Sequence, residues 1–514
     1  AENKVIENVA TIDDEETNKV ETPYDKPEIK EESSITKIGT EVIKSTEDTI
    51  TYRLTYNATI KDFVGNGKVT IVDYLPYEID IENQNLNGGL YNAQEKKITW
   101  EEDLGTIDTY TNGDKTVTLN KEITVKYLYG EDAETLSGTI PNRVEGKLEL
   151  TQPDSENVGQ DKVVLEDTKQ ANFETRVEIP TRITVHHYIE GTNQKVPSKV
   201  YGEVVEDEIQ EGYVGQSYTT SASGNVQENY QVVSNSGNIT GTMTRTPIEV
   251  IYYYKLQPAN IVTNTITKDG TDKIINKDDK VSYTITYNAQ ITDYVGNARI
   301  EIVDYLPYAI DENQSNLHGG TYNPENNTIT WEVGLGRINT YTNSEVGNIS
   351  ITRNIEVVFT EMNYTGASFT NRTQGKVILE ETKQEEQTPE ASKVTETEFV
   401  KDITVEKVWD DNNDIKENRP ESVTVSLRAD NQELKEVVLN ENNKWNYTFT
   451  NLPKYTEQGQ EISYSVVETE TIEGDLEYYS EPVIENFDNG NNTTIRITNK
   501  YRLMNTDLEA SIEK

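Results

Sequence analysis

The sequence predicts an all-β protein built from tandem β-sandwiches. Short runs of β-branched and aromatic residues recur along the chain, and clusters rich in Asn, Asp and Gly separate them. Helical periodicity is nearly missing. One long stretch occurs twice, which indicates a duplicated domain of about 140 residues. Many short strands with closely spaced turns favour sandwiches over a parallel α/β sheet.

The duplication is clearest around a shared VDYLP sequence. Residues 62–80 read DFVGNGKVTIVDYLPYEID, and residues 293–311 read DYVGNARIEIVDYLPYAID. The match continues upstream, where ITYRLTYNATI at 50–60 corresponds to VSYTITYNAQI at 281–291. Downstream, both copies carry a GG turn that is followed by ITW. Similarity over this length indicates two copies of one folding unit.

Proline- and glutamate-rich stretches between the strand runs mark the domain boundaries. Short linkers with proline are semi-rigid, which favours an elongated rod. The first residues resemble the last strands of each repeat, with Asn3 in the place of Asn142, so that segment is either the tail of a preceding repeat or an acidic lead-in. The predicted segments are 1–35 (this lead-in or tail), 36–180 (repeat 1), 181–256 (a separate module), 257–400 (repeat 2), 401–502 (a further sandwich) and 503–514 (a linker tail).

Composition argues against several classes of function. Asp and Glu number 91 against 47 Lys and Arg, so the net charge is −44. A surface this acidic repels phosphate backbones and anionic headgroups, which argues against nucleic-acid partners and membrane surfaces. No apolar run approaches the roughly 18 residues of a membrane span, and we expect no membrane insertion. The chain has no cysteine, so its β domains need either a cross-link other than a disulfide or sufficiently large hydrophobic cores.

Residues 401–502 resemble a Cna B-type domain of Gram-positive surface proteins. The resemblance rests on ITVEKVW, NRPESVTVSL, KWNYTFTNLPKY, ISYSVVE and ITNKY, in that order. In that family a lysine of the first strand bonds covalently to an asparagine of the last strand, and a glutamate of a central strand promotes the reaction. The resemblance therefore implies a Lys407–Asn499 cross-link with Glu468 as the acid.

The module at 181–256 is similar to MucBP domains. The similarity rests on ITVHHYIEGTNQKV, GYVGQSYTT, YQVVSNSGNITGTMT and IEVIYYYKL. It implies a β-grasp-like spacer of the kind found in adhesins of mucosal bacteria.

The two repeats resemble Cna A-type, or fimbrial D2-type, isopeptide domains, which are immunoglobulin-like sandwiches. The mark of these domains is a VDxLP stretch that follows a lysine-bearing strand and precedes a late strand opening with asparagine. The resemblance implies two cross-links, which are Lys37–Asn142 with Asp73 as the acid, and Lys268–Asn371 with Asp304 as the acid. The lysine-to-aspartate interval is 36 residues in both copies.

Buried positions suit the chemistry of such a bond. Lysine is a poor nucleophile until burial lowers its pKa from about 10.4, and a buried acid stays protonated and can polarise the amide. The reaction is internal and occurs once, so it is maturation rather than enzyme turnover. Two alternatives stay open: Asp62 and Asp293, also shared between the copies, are rival acids, and each lysine and acid could instead form an uncatalysed buried ion pair.

Signals for cofactors or metals are weak, and we expect none of either. Asp410, Asn412 and Asp414 superficially suggest a calcium loop, but the glycine and the downstream bidentate glutamate are missing, which favours a turn. His186 and His187 are adjacent on a predicted strand and therefore point to opposite faces, which argues against shared metal ligation.

These observations lead to an expected function outside enzymology. We expect a monomeric structural stalk segment of an adhesin on the extracellular, cell-wall-associated surface of a Gram-positive bacterium, stabilised by intramolecular isopeptide bonds and attached to the wall through a region outside this chain. The alternative is a module that itself binds a host ligand, such as mucin glycan or extracellular matrix. A pilin shaft subunit is a third reading, although no pilin-type lysine motif is recognisable.

Overall fold

The computed structural model describes residues 4–9, 11–12, 15–16, 20–24, 28–154, 159–472 and 476–502. The predicted all-β fold is confirmed, because strands form nearly all of the regular structure. The helices in these ranges are short: α1 (Thr109–Asn112) and the 3₁₀ turns Ile81–Asn83, Gly130–Glu134, Ser344–Gly347 and Glu441–Asn443. In the described part of the chain, none has the length and apolar character that a bilayer crossing requires. The chain divides into two compact units, Ala1–Lys255 and Leu256–Lys514.

Two short antiparallel strand pairs precede repeat 1. Strand β1 (Lys4–Asn8) pairs with β4 (Val20–Tyr24), and β2 (Thr11–Ile12) pairs with β3 (Glu15–Glu16). Asn3 and the linker tail 503–514 lie outside the described residues. The origin of the N-terminal segment therefore stays a prediction.

Repeat 1 is a sandwich of a six-stranded and a three-stranded sheet. Its strands are β5 (Lys30–Gly39), β6 (Val42–Ile43), β7 (Ile50–Lys61), β8 (Val64–Tyr74), β9 (Glu78–Ile79), β10 (Leu90–Asn92), β11 (Lys97–Asp108), β12 (Lys115–Val125), β13 (Tyr127–Leu128), β14 (Gly138–Pro153) and β15 (Asp161–Val177). The larger sheet has the order β10-β11-β8-β14-β15-β6, the smaller has β12-β7-β5, and β9 pairs with β13.

The alternation of side chains explains how repeat 1 forms its core. Every second residue of β7 from Ile50 to Ile60 is buried, so one face of the strand packs against the facing sheet. Strand β5 begins at Lys30, upstream of the predicted boundary at residue 36. The polar residues before that boundary extend the strand because they continue its pairing with β7, where Lys30 opposes Lys61.

The module at 181–256 contains two small sheets. Its strands are β16 (Pro180–Ile189), β17 (Glu208–Tyr213), β18 (Ser217–Thr219), β19 (Tyr230–Ser236), β20 (Thr240–Thr242) and β21 (Ile248–Leu256). The larger sheet has the order β17-β16-β21-β19, with β16 and β21 parallel, and β18 pairs with β20. Its core includes Val185, Val250 and Tyr252, which are all buried.

Repeat 2 forms the same sandwich as repeat 1. Its strands are β22 (Asn260–Gly270), β23 (Lys273–Ile274), β24 (Val281–Thr292), β25 (Val295–Tyr305), β26 (Thr321–Asn323), β27 (Thr328–Asn339), β28 (Asn348–Val357), β29 (Ser368–Leu379), β30 (Gln384–Gln387) and β31 (Ala391–Thr397). One sheet has the order β22-β24-β28, and the other has β23-β31-β29-β25-β27-β26, with β30 also pairing with β29.

The C-terminal domain is a smaller sandwich. Its strands are β32 (Val400–Asp410), β33 (Ser422–Ala429), β34 (Gln432–Asn440), β35 (Asn446–Pro453), β36 (Tyr464–Glu470), β37 (Val483–Asn489) and β38 (Asn492–Lys500). One sheet has the order β35-β32-β38-β37 and the other has β34-β33-β36. Strands β32 and β38 are the first and last of the domain, and they lie side by side in parallel.

Candidate functional site

Each of the three sandwich domains buries a lysine, an acid and an asparagine together in its core. The structure brings together all nine residues predicted from the sequence, in three clusters: Lys37, Asp73 and Asn142; Lys268, Asp304 and Asn371; and Lys407, Glu468 and Asn499. The lysine and acid side chains are at most 1% exposed in every cluster. Isolated charges are too costly at such depth, so each lysine and its acid form a coupled pair.

In repeat 1 the lysine comes from one sheet, and the acid and the asparagine come from the other. Lys37 lies on β5, whereas Asp73 and Asn142 lie on the neighbouring strands β8 and β14. Val144 opposes Asp73 across the antiparallel pair, and Asn142 is two residues away from Val144, so Asp73 and Asn142 share a face. The Asp73 carboxylate accepts hydrogen bonds from Nζ of Lys37 and, at 3.4 Å, from Nδ2 of Asn142.

Repeat 2 reproduces this arrangement strand for strand. Lys268 lies on β22 of the three-stranded sheet, and Asp304 and Asn371 lie on β25 and β29 of the other sheet. Thr373 opposes Asp304, as Val144 opposes Asp73 in repeat 1. The Asp304 carboxylate accepts hydrogen bonds from Nζ of Lys268 and, at 3.1 Å, from Nδ2 of Asn371.

The C-terminal domain distributes the three roles differently between its sheets. Lys407 and Asn499 lie on the adjacent parallel strands β32 and β38, where Trp409 opposes Asn499. Because Lys407 and Trp409 are two residues apart, Lys407 and Asn499 project to the same face of that sheet. Glu468 comes from β36 in the facing sheet, and its Oε1 lies 3.4 Å from Nζ of Lys407.

Burial shifts the protonation of the lysines and the acids in opposite directions. It lowers the pKa of all three lysines, to about 8 for Lys37 and Lys407. It raises the pKa of all three acids above their usual range. Both shifts have one cause, because desolvation disfavours whichever form of a group is charged. The clusters therefore favour a neutral amine beside a protonated acid more than water would.

The asparagine carbonyl oxygens are the most unusual atoms of the clusters. Oδ1 of Asn142, Asn371 and Asn499 is buried and accepts no hydrogen bond from any described residue. In repeats 1 and 2 the acid instead contacts the amide nitrogen Nδ2. The acid can therefore pass to that nitrogen the proton that a neutral lysine loses when it attacks the amide carbon.

An aromatic ring beside each lysine was missed from the sequence. Nζ lies 4.4 Å from the ring centroid of Tyr52 in repeat 1, 4.4 Å from Tyr283 in repeat 2 and 3.6 Å from Trp409 in the C-terminal domain. These rings contribute to the desolvation of the amines. Comparison of the two copies could have revealed the tyrosines, because Tyr52 and Tyr283 occupy equivalent positions in ITYRLTYN and VSYTITYN.

The rival acids Asp62 and Asp293 serve as turn residues. Both have a positive φ, 55° and 59°, which aspartate tolerates better than most residues. The Asp62 carboxylate lies 3.4 Å from Nζ of Lys30 near the surface, and Asp293 accepts a hydrogen bond from Thr292. The need for a left-handed turn accounts for their presence in both copies.

The predicted turn at 409–420 is organised around Asp411. The carboxylate of Asp411 accepts hydrogen bonds from Arg419 at 2.9 and 2.7 Å and from the Tyr479 hydroxyl at 3.1 Å. Asn412 and Asp414 have positive φ angles of 54° and 57°. In the described part of the chain, no group of three or more histidine and acidic residues is arranged to hold a metal ion.

The adjacent histidines face opposite sides of β16, as predicted. The side chain of His187 is 0% exposed, and its Nδ1 lies 3.1 Å from the Tyr254 hydroxyl. The side chain of His186 is partly exposed and lies 3.1 Å from Asp207. The two imidazoles therefore have separate partners.

Comparison with known proteins identifies two of the domains. Residues 403–500 match the family model of the Cna protein B-type domain, and residues 182–255 match that of the MucBP domain. A stretch of 66 residues is 44% identical to a collagen adhesin of Staphylococcus aureus and covers 13% of this chain and 6% of that protein. The chain thus spans a small fraction of this relative's length.

Several solved structures show distant similarity. A single B repeat unit of the Staphylococcus aureus collagen-binding surface protein is 20% identical, with 48% of this chain and 100% of that chain covered and a TM-score of 0.18. The full-length major pilin SpaD from Corynebacterium diphtheriae is 12% identical, with 86% and 90% covered and a TM-score of 0.20. A Mobiluncus mulieris adhesin with intramolecular disulfide, isopeptide and ester bond cross-links is 9% identical, with 48% and 100% covered and a TM-score of 0.28.

TM-scores this low do not establish an equivalent arrangement of whole chains, and the assignment of the repeats to the Cna A type stays a prediction. The two family matches are specific to their segments. The chain therefore carries a MucBP domain and a Cna B-type domain, and through them it is similar to surface adhesins of Gram-positive bacteria.

Proposed function

We propose that this chain is a stalk segment of a Gram-positive surface adhesin whose sandwich domains are cross-linked by lysine–asparagine isopeptide bonds. The observation that carries the proposal is the burial of a lysine, an acid and an asparagine together in all three sandwiches of a chain without cysteine. The stalk holds a binding head away from the cell wall, to which it is attached outside this segment.

The bond forms when the neutral lysine amine attacks the carboxamide carbon of asparagine. The Nζ–Cγ bond forms, the Cγ–Nδ2 bond breaks, and one proton passes from Nζ to the departing nitrogen through the acid, so that ammonia leaves. The lowered pKa values of the lysines and the raised pKa values of the acids favour the required protonation states. Proximity inside a dry core supplies the orientation.

The consequences for mechanical load differ between the domains. In the C-terminal domain the bond would join the first and last strands, β32 and β38, so tension would pass through it directly. In repeat 1 the asparagine strand β14 is not the last strand, because β15 follows it. A bond there would join the two facing sheets and leave β15 held by its long hairpin with β14 and its short pairing with β6. Repeat 2 has the same topology, with β31 after β29.

Intact mass measurement of the purified chain tests this proposal. Formation of all three bonds removes three ammonia masses from the chain. Each lysine-to-arginine variant should lack one bond and therefore show a deficit of only two ammonia masses; the variants are Lys37→Arg, Lys268→Arg and Lys407→Arg. Lys115→Arg, on the exposed start of β12, serves as a matched control that leaves the deficit unchanged. A wild-type mass without any deficit would refute the cross-linked stalk.

A second candidate function, ligand binding, is favoured by a cavity of about 650 Å³ where the MucBP domain meets repeat 1. Its lining includes three cations, Lys44, Arg182 and Arg245, together with Glu211 and the exposed ring of Tyr213. Lys44 and Arg182 form no ion pair with any described residue, although the chain as a whole is strongly acidic. Arginine suits planar anions, and a cavity of this size suits a small ligand.

We propose an acidic oligosaccharide, such as a carboxylated or sulfated mucin glycan, as the ligand of that cavity. Binding to arrayed glycans should require the acidic group, and Arg182→Gln should weaken it at least tenfold. Lys115→Gln removes a positive charge elsewhere in the same unit and serves as the control. Equal binding of neutral and acidic glycans would refute an anion site.

A further inference from the structure

The two repeats differ at one position beside the reacting asparagine. Tyr127 of repeat 1 pairs with Ile79 at the start of β13, and Phe359 of repeat 2 bridges Ile310 in the same place. Both aromatic side chains are buried, at 1% and 3% exposure. The duplicated domain therefore carries a natural exchange of tyrosine for phenylalanine.

In repeat 1 the tyrosine hydroxyl lies against the nitrogen that would depart. The hydroxyl of Tyr127 is 3.5 Å from Nδ2 of Asn142 and 3.2 Å from the hydroxyl of Tyr52, whose ring lies 4.4 Å from Nζ of Lys37. Burial raises the pKa of Tyr127 well above 10, so the hydroxyl keeps its proton at any physiological pH. A phenol can accept one hydrogen bond while it donates another.

In repeat 2 phenylalanine takes the place of this tyrosine, and the hydroxyl near Asn371 is that of Tyr283, the counterpart of Tyr52. Nδ2 of Asn371 donates to Asp304 at 3.1 Å, and Phe359 packs edge-on against Phe369 with ring centroids 5.3 Å apart. The lysine side of the cluster is the same, because Lys268 lies over Tyr283 as Lys37 lies over Tyr52. Compared with repeat 2, repeat 1 thus has a second phenol, Tyr127, beside the leaving nitrogen.

We propose that Tyr127 is a catalytic residue of bond formation in repeat 1, where its hydroxyl hydrogen-bonds the departing nitrogen of Asn142. This inference rests on the proposed function. When Nζ of Lys37 has added to Cγ, Nδ2 becomes an amine with a lone pair, and the hydroxyl can turn to donate to it. As the Cγ–Nδ2 bond breaks, the proton lost from Nζ reaches Nδ2 through Asp73, ammonia leaves, and Tyr127 ends with its own proton count unchanged.

Bond formation can be timed in both repeats of one chain. The full chain is synthesised in a short cell-free pulse and quenched in denaturant at intervals. It is then digested so that mass spectrometry quantifies the 37–142 and 268–371 cross-linked peptides separately. Bond formation in repeat 2 serves as the internal reference for the time that synthesis and folding take. Tyr127→Phe should slow the repeat 1 bond about tenfold relative to repeat 2, the effect of one lost hydrogen bond of about 1.4 kcal/mol.

The pH profile separates a catalytic hydroxyl from a packing effect. If Tyr127 acts on the leaving nitrogen, Tyr127→Phe lowers the rate of bond formation in repeat 1. The pH at the midpoint of the rate profile, which the titration of Lys37 sets, stays unchanged. A shifted midpoint would show that the variant acts through the surroundings of Lys37 and would overturn the proposal. An unchanged ratio between the rates of bond formation in repeat 1 and repeat 2 would also overturn it. Phenylalanine is the native residue of repeat 2, so the variant is compatible with this fold. A wild-type chain that forms no cross-linked peptide at all would refute the proposed function instead.

Discussion

Nζ of Lys407 lies 3.6 Å from the ring centroid of Trp409, two residues further along the same strand. The same nitrogen is 3.4 Å from Oε1 of Glu468. Burial lowers the pKa of Lys407 to about 8, while the attraction of an ionised Glu468 raises it. The carboxyl group therefore decides how readily this lysine becomes neutral, and removing it has a measurable effect.

We expect Glu468→Gln to block the third bond and to give a C-terminal domain that becomes more stable as the pH rises. Glutamine carries no exchangeable acid proton, and its neutral amide no longer raises the pKa of Lys407. A lysine whose folded pKa lies below its unfolded value of about 10.4 weakens the fold while it is charged. That penalty is full below the folded pKa and disappears as the pH approaches the unfolded value. The melting temperature should therefore rise between pH 7 and 10.

The double variant Lys407→Met with Glu468→Gln is the control. Its melting temperature should rise less over this range, because Lys454, whose pKa burial also lowers, is the same in both variants. The nearest other charges do not interfere. Burial raises the pKa of Asp411, but its hydrogen bonds, chiefly from Arg419, lower it overall. Asp411 raises the pKa of Arg419, so neither group titrates between pH 7 and 10. A melting temperature that fell with rising pH in Glu468→Gln would contradict the assigned protonation of Lys407.

Asn142→Ala should remove the repeat 1 cross-link and destabilise that repeat. By analogy with disulfides, a link that closes a loop of about 100 residues stabilises by about 4–5 kcal/mol. For a domain of this size, the loss corresponds to a fall in melting temperature of roughly 8–20 °C. The contact between Lys37 and Asp73 does not involve the asparagine, so the buried charges keep their partner. Differential scanning calorimetry measures the change.

Asn172→Ala provides the matched control, because Asn172 lies on the neighbouring strand β15 and is exposed. It should leave both the mass and the melting temperature nearly unchanged. If Asn142→Ala melted at the same temperature as this control, the cross-link in repeat 1 would have no role in stability.

The sequence held enough information to predict where the clusters lie. Internal duplication aligned Lys37 with Lys268 and Asp73 with Asp304, and alternation along the strands placed these residues on buried faces. The choice between Asp73 and Asp62 needed the structure. A positive φ is a property of the backbone path, and an aspartate in the sequence does not reveal whether it serves a turn or a core.

The sequence did not predict how the lysine, acid and asparagine of each cluster are distributed between the two sheets. Lys37 and Asn142 belong to facing sheets, whereas Lys407 and Asn499 belong to adjacent strands of one sheet. Strand pairing is a long-range property that local pattern does not encode. The same limit explains why Tyr127 was missed, since it lies beside Asn142 only once β13 and β14 are folded.

The MucBP domain should lose stability as the pH falls below about 6.5. The side chain of His187 is fully buried, with Nδ1 at 3.1 Å from the Tyr254 hydroxyl and Nε2 at 3.6 Å from Glu208. Burial lowers the pKa of His187, and His186 adds to this shift, whereas Glu208 and Asp207 oppose it. A histidine with a lowered pKa stabilises the fold above its unfolded value of about 6.5, and this contribution disappears as the pH falls through the folded value.

Thermal melting between pH 7.5 and 4.5 measures this dependence, and His187→Phe should reduce it. His318→Asn, at an exposed left-handed position of repeat 2, is the control that should leave it intact. A pH dependence of the MucBP transition that persisted unchanged in His187→Phe would assign the effect to other groups.

Lys454 of the C-terminal domain forms hydrogen bonds to repeat 2. It follows the end of β35, is 7% exposed, and donates from Nζ to the carbonyl oxygen of Ile275 at 2.9 Å and to Oδ1 of Asn276 at 3.1 Å. Tyr455 extends the contact, with its ring centroid 5.5 Å from that of Phe399. Lys454→Met would leave these acceptors without their donor, at a cost of about 1–3 kcal/mol.

We expect that cost to separate the melting of repeat 2 from that of the C-terminal domain. In the wild type, the contact should make the two domains unfold together as one calorimetric transition. In Lys454→Met, the C-terminal domain should melt first, and the transition should broaden or split. Lys435→Met, on the exposed strand β34, removes the same charge away from the contact and should preserve one transition. A single unshifted transition in Lys454→Met would mean that the apolar contacts of Tyr455 suffice to couple the domains.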